Sequence, residues 1–126
     1  MDPRIQLAHA CYDAYVSKDR EAIEALIAPD FHFTSPLDNR IDRATYFERC
    51  WPNSKTINAF EFLHEAVQGD RVYVTYEGRA TNDRRFRNTE VLTLRGSQIV
   101  EVEVYFGWSI PHEAPLGGFI EAKITA

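Results

Sequence analysis

Cysteine is scarce: Cys11 and Cys50 are the only two in a chain of 126 residues. Two isolated thiols make no disulfide framework. Both fall inside predicted helices, where a buried, reduced cysteine is the expectation. Basic runs are missing too. The formal net charge is −5, with acidic and basic residues mixed along the chain, so the electrostatic footprint of a nucleic-acid binder is absent. Apolar runs extend no further than a few residues, which excludes a membrane-spanning helix and removes a membrane from the expected partners. The opening MDPRIQLAHA carries Asp2 and lacks the apolar core of a signal peptide, so a cytoplasmic location is expected. No glycine-rich phosphate loop, nucleophile motif, internal repeat or low-complexity segment is visible.

What is present suits an ordinary core, 44% apolar and 13% aromatic. That length and composition predict one domain over 1–126, able to bury roughly two-thirds of its unfolded surface. The most regular stretch is Phe86 to Trp108. Val100, Val102, Val104 and Phe106 alternate with Glu101, Glu103 and Tyr105, as a strand with one buried face requires. Thr89 to Leu94 is rich in β-branched residues, and Arg95 to Gln98 is a compact polar turn. A long β-hairpin follows from these features.

The N-terminal third reads as helical. Asp2-Pro3 is an N-cap followed by proline at the first helical position, and Ile5, Ala8, Tyr12, Tyr15 and Val16 form a stripe at helical spacing. Asp19 caps a short second helix that buries Ala22, Ile23, Leu26 and Ile27 and stops at Pro29. Phe31 to Thr34 alternates as a short strand, and Ser35 to Arg40 is a loop by composition. Asp42 caps a third helix reaching Trp51. Thr56–Val67 and Val72–Ala80 then read as long strands joined at Gln68-Gly69-Asp70, and the prolines and glycines after Trp108 predict an irregular tail over 109–126. The expected fold is α+β, a cone-shaped, curved antiparallel sheet wrapped over three N-terminal helices, with the core in 3–108. The inside of such a cone is the default place for a small ligand.

The order and phrasing of these elements resemble the nuclear transport factor 2-like superfamily, with its cystatin-like layout, and in particular its SnoaL-like branch. The resemblance is carried by Asp19 to Phe33, the Ser35-Pro36 pair, Asp42 to Trp51, Phe86 to Val91 and Gln98 to Gly107. It implies a pocket between helices and concave sheet, and a homodimer through the opposite face, where Tyr73, Thr75, Glu101, Glu103 and Tyr105 would form a mixed surface. It does not fix an activity, because this fold hosts isomerases, cyclases, hydrolases and binders alike.

Compared with the ketosteroid isomerases on this fold, the catalytic acids are not at the matching positions. Ser35 stands where the base before proline belongs, Thr89 where the buried acid belongs, and Cys11, next to Tyr12, near the first-helix tyrosine. An unassisted serine hydroxyl does not take a proton from carbon. Asp38, His64 and Glu90 are the residual catalytic candidates, each with a plainer reading: turn chemistry for Asp38, a satisfied structural histidine for His64 and a cross-strand ion pair for Glu90. A water-activating relay among Glu77, Arg79, Arg87 and Glu90 is subject to the same objection. The four histidines share no face, so neither a metal nor another cofactor is expected. The expected pocket is lined by Tyr12, Phe33, Ser35, Tyr46, Trp51, Phe62, Tyr76, Thr89 and Phe106. It suits a small hydrophobic molecule, bound by a protein without evident catalytic machinery. An isomerase, cyclase or hydratase acting on a polyketide-, steroid- or terpenoid-like substrate is the alternative, and a protein-interaction module using the outer sheet face is a third reading.

Overall fold

The computed structural model describes residues 1–121. Helix α1 (Pro3–Ser17) starts where Asp2 accepts the Arg4 N–H at 2.8 Å and ends at Lys18 in the left-handed region, φ 59°. Helix α2 (Arg20–Leu26) is capped by Asp19, which accepts from the Ala22 N–H at 3.0 Å. Strands β1 (Ile27–Ser35) and β2 (Asp38–Asp42) form a hairpin, and α3 (Arg43–Arg49) follows, capped by Asp42 through the Thr45 N–H at 2.9 Å. A 3-10 turn over Trp51–Thr56 leads to β3 (Ile57–Gln68), β4 (Arg71–Ala80), β5 (Arg85–Arg95) and β6 (Gln98–Ile110).

The six strands form one curved, unclosed sheet in the order β2-β1-β6-β5-β4-β3. Its inner face packs on the helices around Phe31, Ile23, Ile27, Leu92, Ile99, Val72 and Val74, all almost fully buried. Irregularities of register recur at Phe62/His64, Phe86/Asn88 and Thr93/Leu94. Each such bulge bends its strand and adds twist, which is how long strands wrap over short helices.

Four expectations change. The sheet is mixed rather than antiparallel, because β1 runs parallel to β6 in the middle of it. Ile27 and Pro29 belong to β1 rather than to the end of a helix. The β1–β6 ladder is irregular between Ile27 and His32, so the missing N–H of Pro29 costs no regular bond there. Asp38 to Arg40, read as loop by polar composition, belong with Ile41 and Asp42 to an edge strand paired to β1, and an edge tolerates such residues. In β6 the pairs Leu94↔Ile99 and Thr93↔Glu101 skip Val100, so Ile99, and not Val100, is the buried partner of Val102 and Val104. The strand also runs to Ile110. Residues 111–121 carry neither helix nor strand, and 122–126 lie outside the described residues.

Candidate functional site

Cross-strand register sets the site. Phe62, Tyr76, Asn88 and Phe106 lie opposite one another along one row, and Glu65, Val74, Glu90 and Val104 along the next. Paired residues share a face, and Val74 and Tyr76 are buried, so Glu90 points inward. Tyr76 and Glu90 are diagonal neighbours on adjacent strands, a separation that long side chains bridge. The Tyr76 hydroxyl donates to Glu90 Oε2 at 2.5 Å, and the Asn88 amide donates to Tyr76 Oη at 3.2 Å.

Between this patch, α1 and α3 lies a cavity of about 220 Å³. Tyr12, Phe33, Ser35, Tyr46, Tyr76 and Phe106 line it, as do Asp38 and Glu90. Leu37 and Phe106 belong to the lining yet are 76% and 54% exposed, so they mark its mouth. From α1, Tyr12 sets its ring edge-on to Phe60 and Tyr76, with centroids 5.1 and 5.4 Å away. Tyr15 reaches across to α3 and shares a short hydrogen bond with the Tyr46 hydroxyl.

Glu90 is the one carboxyl deep in this cavity. It is half-buried and belongs to the cavity lining. Burial lifts its carboxyl from 4.5 to about 7, while the hydrogen bond from Tyr76 and a smaller pull from Tyr12 restrain the rise. The phenols of Tyr12, Tyr15, Tyr46 and Tyr76 are pushed well above their usual value, first by burial, and so stay neutral. Tyr12 Oη is buried with no hydrogen-bond partner at ordinary distance among the described residues, and Glu90 is close enough that the two side chains pull on each other's protons. A buried hydroxyl without a partner is costly, so this atom stands ready for a polar group entering the cavity. Cys50, on the lining, is raised to about 11 by burial and by Asp38, and at neutral pH is a thiol rather than a nucleophilic thiolate.

Asp38 occupies the other end of the lining, its side chain 11% exposed. It accepts from Ser35 Oγ at 2.8 Å and Arg49 Nε at 3.4 Å, while Ser35 Oγ takes the Leu37 N–H at 3.0 Å. Its local bonds are those of a turn residue, as its composition suggested, but its position is on the cavity.

Four candidates lie elsewhere. Thr89 faces the opposite side of the sheet, where its hydroxyl pairs with that of Thr75 at 2.8 Å, so the buried acid sits one residue further on, at Glu90. The bulge at Phe62/His64 reverses the alternation of β3 and leaves His64 exposed on the outer face opposite Thr75. Phe62 stacks on His9 at 4.2 Å, and Trp51 packs edge-on to Tyr15 at 5.0 Å; both support the lining from behind. Glu77, bracketed by Arg85 at 3.4 Å and Arg87 at 3.5 Å, is on the outer face, so it shares no relay with Glu90. Sequence reasoning missed Tyr15, Cys11 and Asn88 on the lining. Asn88 had a signal: Asn88, Glu90, Leu92 and Leu94 alternate, which puts the two polar residues on the face of the buried leucines. Among the described residues no three histidine, cysteine or acidic side chains gather as metal ligands, and no helix is long and apolar enough to cross a membrane.

Comparisons with known proteins agree with this architecture. An NTF2-like protein of unknown function from Cytophaga hutchinsonii is 18% identical with a TM-score of 0.66, over 82% of this chain and 89% of that one. An LEH-like epoxide hydrolase of M. tuberculosis is 14% identical with a TM-score of 0.70, over 83% of each chain. A putative polyketide cyclase from Sinorhizobium meliloti is 19% identical with a TM-score of 0.64, over 79% of this chain and 93% of that one. At such identities the likeness is one of fold. No curated protein matches the sequence. A family model described as SnoaL-like domain matches residues 8–102, most of the chain from α1 into β6, and the protein belongs to that family.

Proposed function

We propose that this protein binds a small, largely apolar organic molecule in its cavity, and that Glu90 exchanges a proton with it. The observation that carries the reading is a carboxyl enclosed in an aromatic hollow with its pKa lifted to about 7, where acid and base forms coexist at neutral pH. Structural ion pairs also perturb acids, but among the described residues Glu90 has no cationic partner; the groups that bond to it are phenols. The unpartnered Tyr12 hydroxyl supports the reading, since it offers a hydrogen bond to a carbonyl or hydroxyl on the guest. Size narrows the class. A cavity of about 220 Å³ is smaller than the roughly 300–1,000 Å³ typical of drug-sized ligands, so a one- or two-ring compound fits it. A larger polycyclic substrate would have to protrude past Leu37 and Phe106.

Among isomerase, cyclase and hydratase chemistry, the step this lining favours is proton transfer next to a carbonyl: Glu90 moves the proton while neutral phenols stabilise charge on oxygen. An interaction module would fill its cone instead. A homodimer through the face that carries Thr75, Thr89 and Tyr105 fits the same reading, and sedimentation equilibrium tests it.

The test is solvent-deuterium exchange into 2-tetralone and a panel of one- and two-ring ketones, followed by NMR with wild type and Glu90→Gln. Saturable exchange that falls by about 10²–10⁴ in the variant is expected. Should no compound perturb the cavity resonances, the binding reading fails; should one bind without Glu90-dependent exchange, the protein is a binder and the catalytic half fails.

A further inference from the structure

Asn88 has no part in the reading above, yet it is held at both ends of its amide. Gly107 N–H points at one end, 3.3 Å from Oδ1, and Tyr76 Oη sits 3.2 Å from Nδ2. A backbone N–H can only donate, so the Asn88 atom facing Gly107 must be the amide oxygen. The nitrogen therefore faces Tyr76 and donates to its oxygen. With that donation received, the phenol's own proton goes to Glu90 Oε2, 2.5 Å away. Among the described residues no hydrogen bond of ordinary length reaches Oε1; Tyr12 Oη is the hydroxyl close by, and its pull already lowers the carboxyl.

We infer that Asn88 is a positioning residue: Gly107 N–H, Asn88, Tyr76 and Glu90 form a one-way hydrogen-bond chain that fixes Oε2 as the accepting oxygen and leaves Oε1 as the atom that takes up and releases the exchangeable proton. The backbone builds this chain on purpose-shaped ground. Between Phe86 and Asn88 the β5–β6 register slips, bringing Gly107 against Arg87 so closely that a Cβ there would lie 2.3 Å from the Arg87 carbonyl oxygen. Only glycine lets the strand approach far enough for its N–H to orient the amide. Each donation polarises the next donor, so Asn88 makes Tyr76 a better donor and favours the Glu90 carboxylate.

The groups facing Glu90 are Cys11, Tyr12 and Tyr15 of α1, Tyr46 of α3, Cys50 after it and Tyr76 of β4. Burial keeps these phenols and thiols neutral through the neutral range. Among these groups a titration near pH 7 thus belongs to Glu90.

The inference rests on the proposed function only for its choice of group. Because the carboxyl is read without substrate, the chain can fail while the ketone exchange stands, and the reverse. The experiment is ¹³C NMR of the glutamate carboxyl carbons against pH, with Glu90 assigned by its loss in Glu90→Gln. Asn88→Leu is expected to move the midpoint upward by about half a pH unit, since one cooperative donor is lost. Tyr76→Phe moves it further, and adding Asn88→Leu to Tyr76→Phe changes nothing more. An unmoved midpoint in Asn88→Leu, or an equal shift with and without Tyr76, overturns the chain. Should Asn88→Leu fail to fold, the wild type decides. The Asn88 side-chain and Gly107 amide nitrogens are expected to titrate with the Glu90 midpoint, and flat resonances overturn the inference.

Discussion

Replacing Glu90 with glutamine should stabilise the protein, and by an amount that grows with pH. The unfolded chain ionises this carboxyl near 4.5, whereas the folded chain holds the proton to about 7. A raised carboxyl pKa means that folded and unfolded states bind the proton equally below pH 4.5. Between those two values the unfolded state alone gives it up, so stability falls as pH rises. For one group with these pKa values, linkage gives a loss of about 2 kcal/mol by pH 6 and about 3 kcal/mol by pH 8. Water entering the cavity shields the part of Glu90 that lines it, so these figures are the ceiling. Glutamine keeps the shape and an oxygen for the Tyr76 hydroxyl, and carries no charge to desolvate. The assay is urea unfolding of both proteins at half-unit steps from pH 4.5 to 8.5. Asp2, Asp30 and Asp42, whose carboxyls hydrogen bonding holds below the ordinary range, gain stability with rising pH but cancel in the difference. A stability difference that is flat with pH would refute a carboxyl buried as the geometry has it.

Gly107→Ala should cost about 1–3 kcal/mol or more, because the new methyl meets backbone that cannot turn aside, and it should move the Glu90 midpoint as Asn88→Leu does. Denaturation with the carboxyl titration checks both. Asp42→Ala removes the acceptor for the Thr45 N–H and should cost about 1 kcal/mol without touching the cavity, measured by thermal unfolding. Thr89→Val breaks only the outer-face bond to Thr75, so ligand-induced shifts in the cavity should persist unchanged in NMR; their loss would return Thr89 to the lining.

Much of this was open to a reader of the chain alone. The aspartate caps, the helical stripe of α1 and the period-two runs of β4 and β6 express local rules, since capping and alternation depend on neighbours within a few residues. Six of the nine lining residues expected from the sequence face the cavity for the same reason. Three of the failures share one cause. Thr89, His64 and Val100 were placed by carrying an alternation or a family alignment forward without a slip, and bulges shift the count by one, which exchanges the faces of a strand.

By itself, then, the sequence determined which segments become helix or strand, which side chains are oily enough to meet inside, and the family of folds that accommodates them. Tertiary structure decided which acid is buried. An ordinary surface-type glutamate becomes a group poised near neutrality only when α1, α3 and the bent sheet enclose it. That outcome depends on cross-strand register and on how much water the enclosure removes, quantities set by residues far apart along the chain.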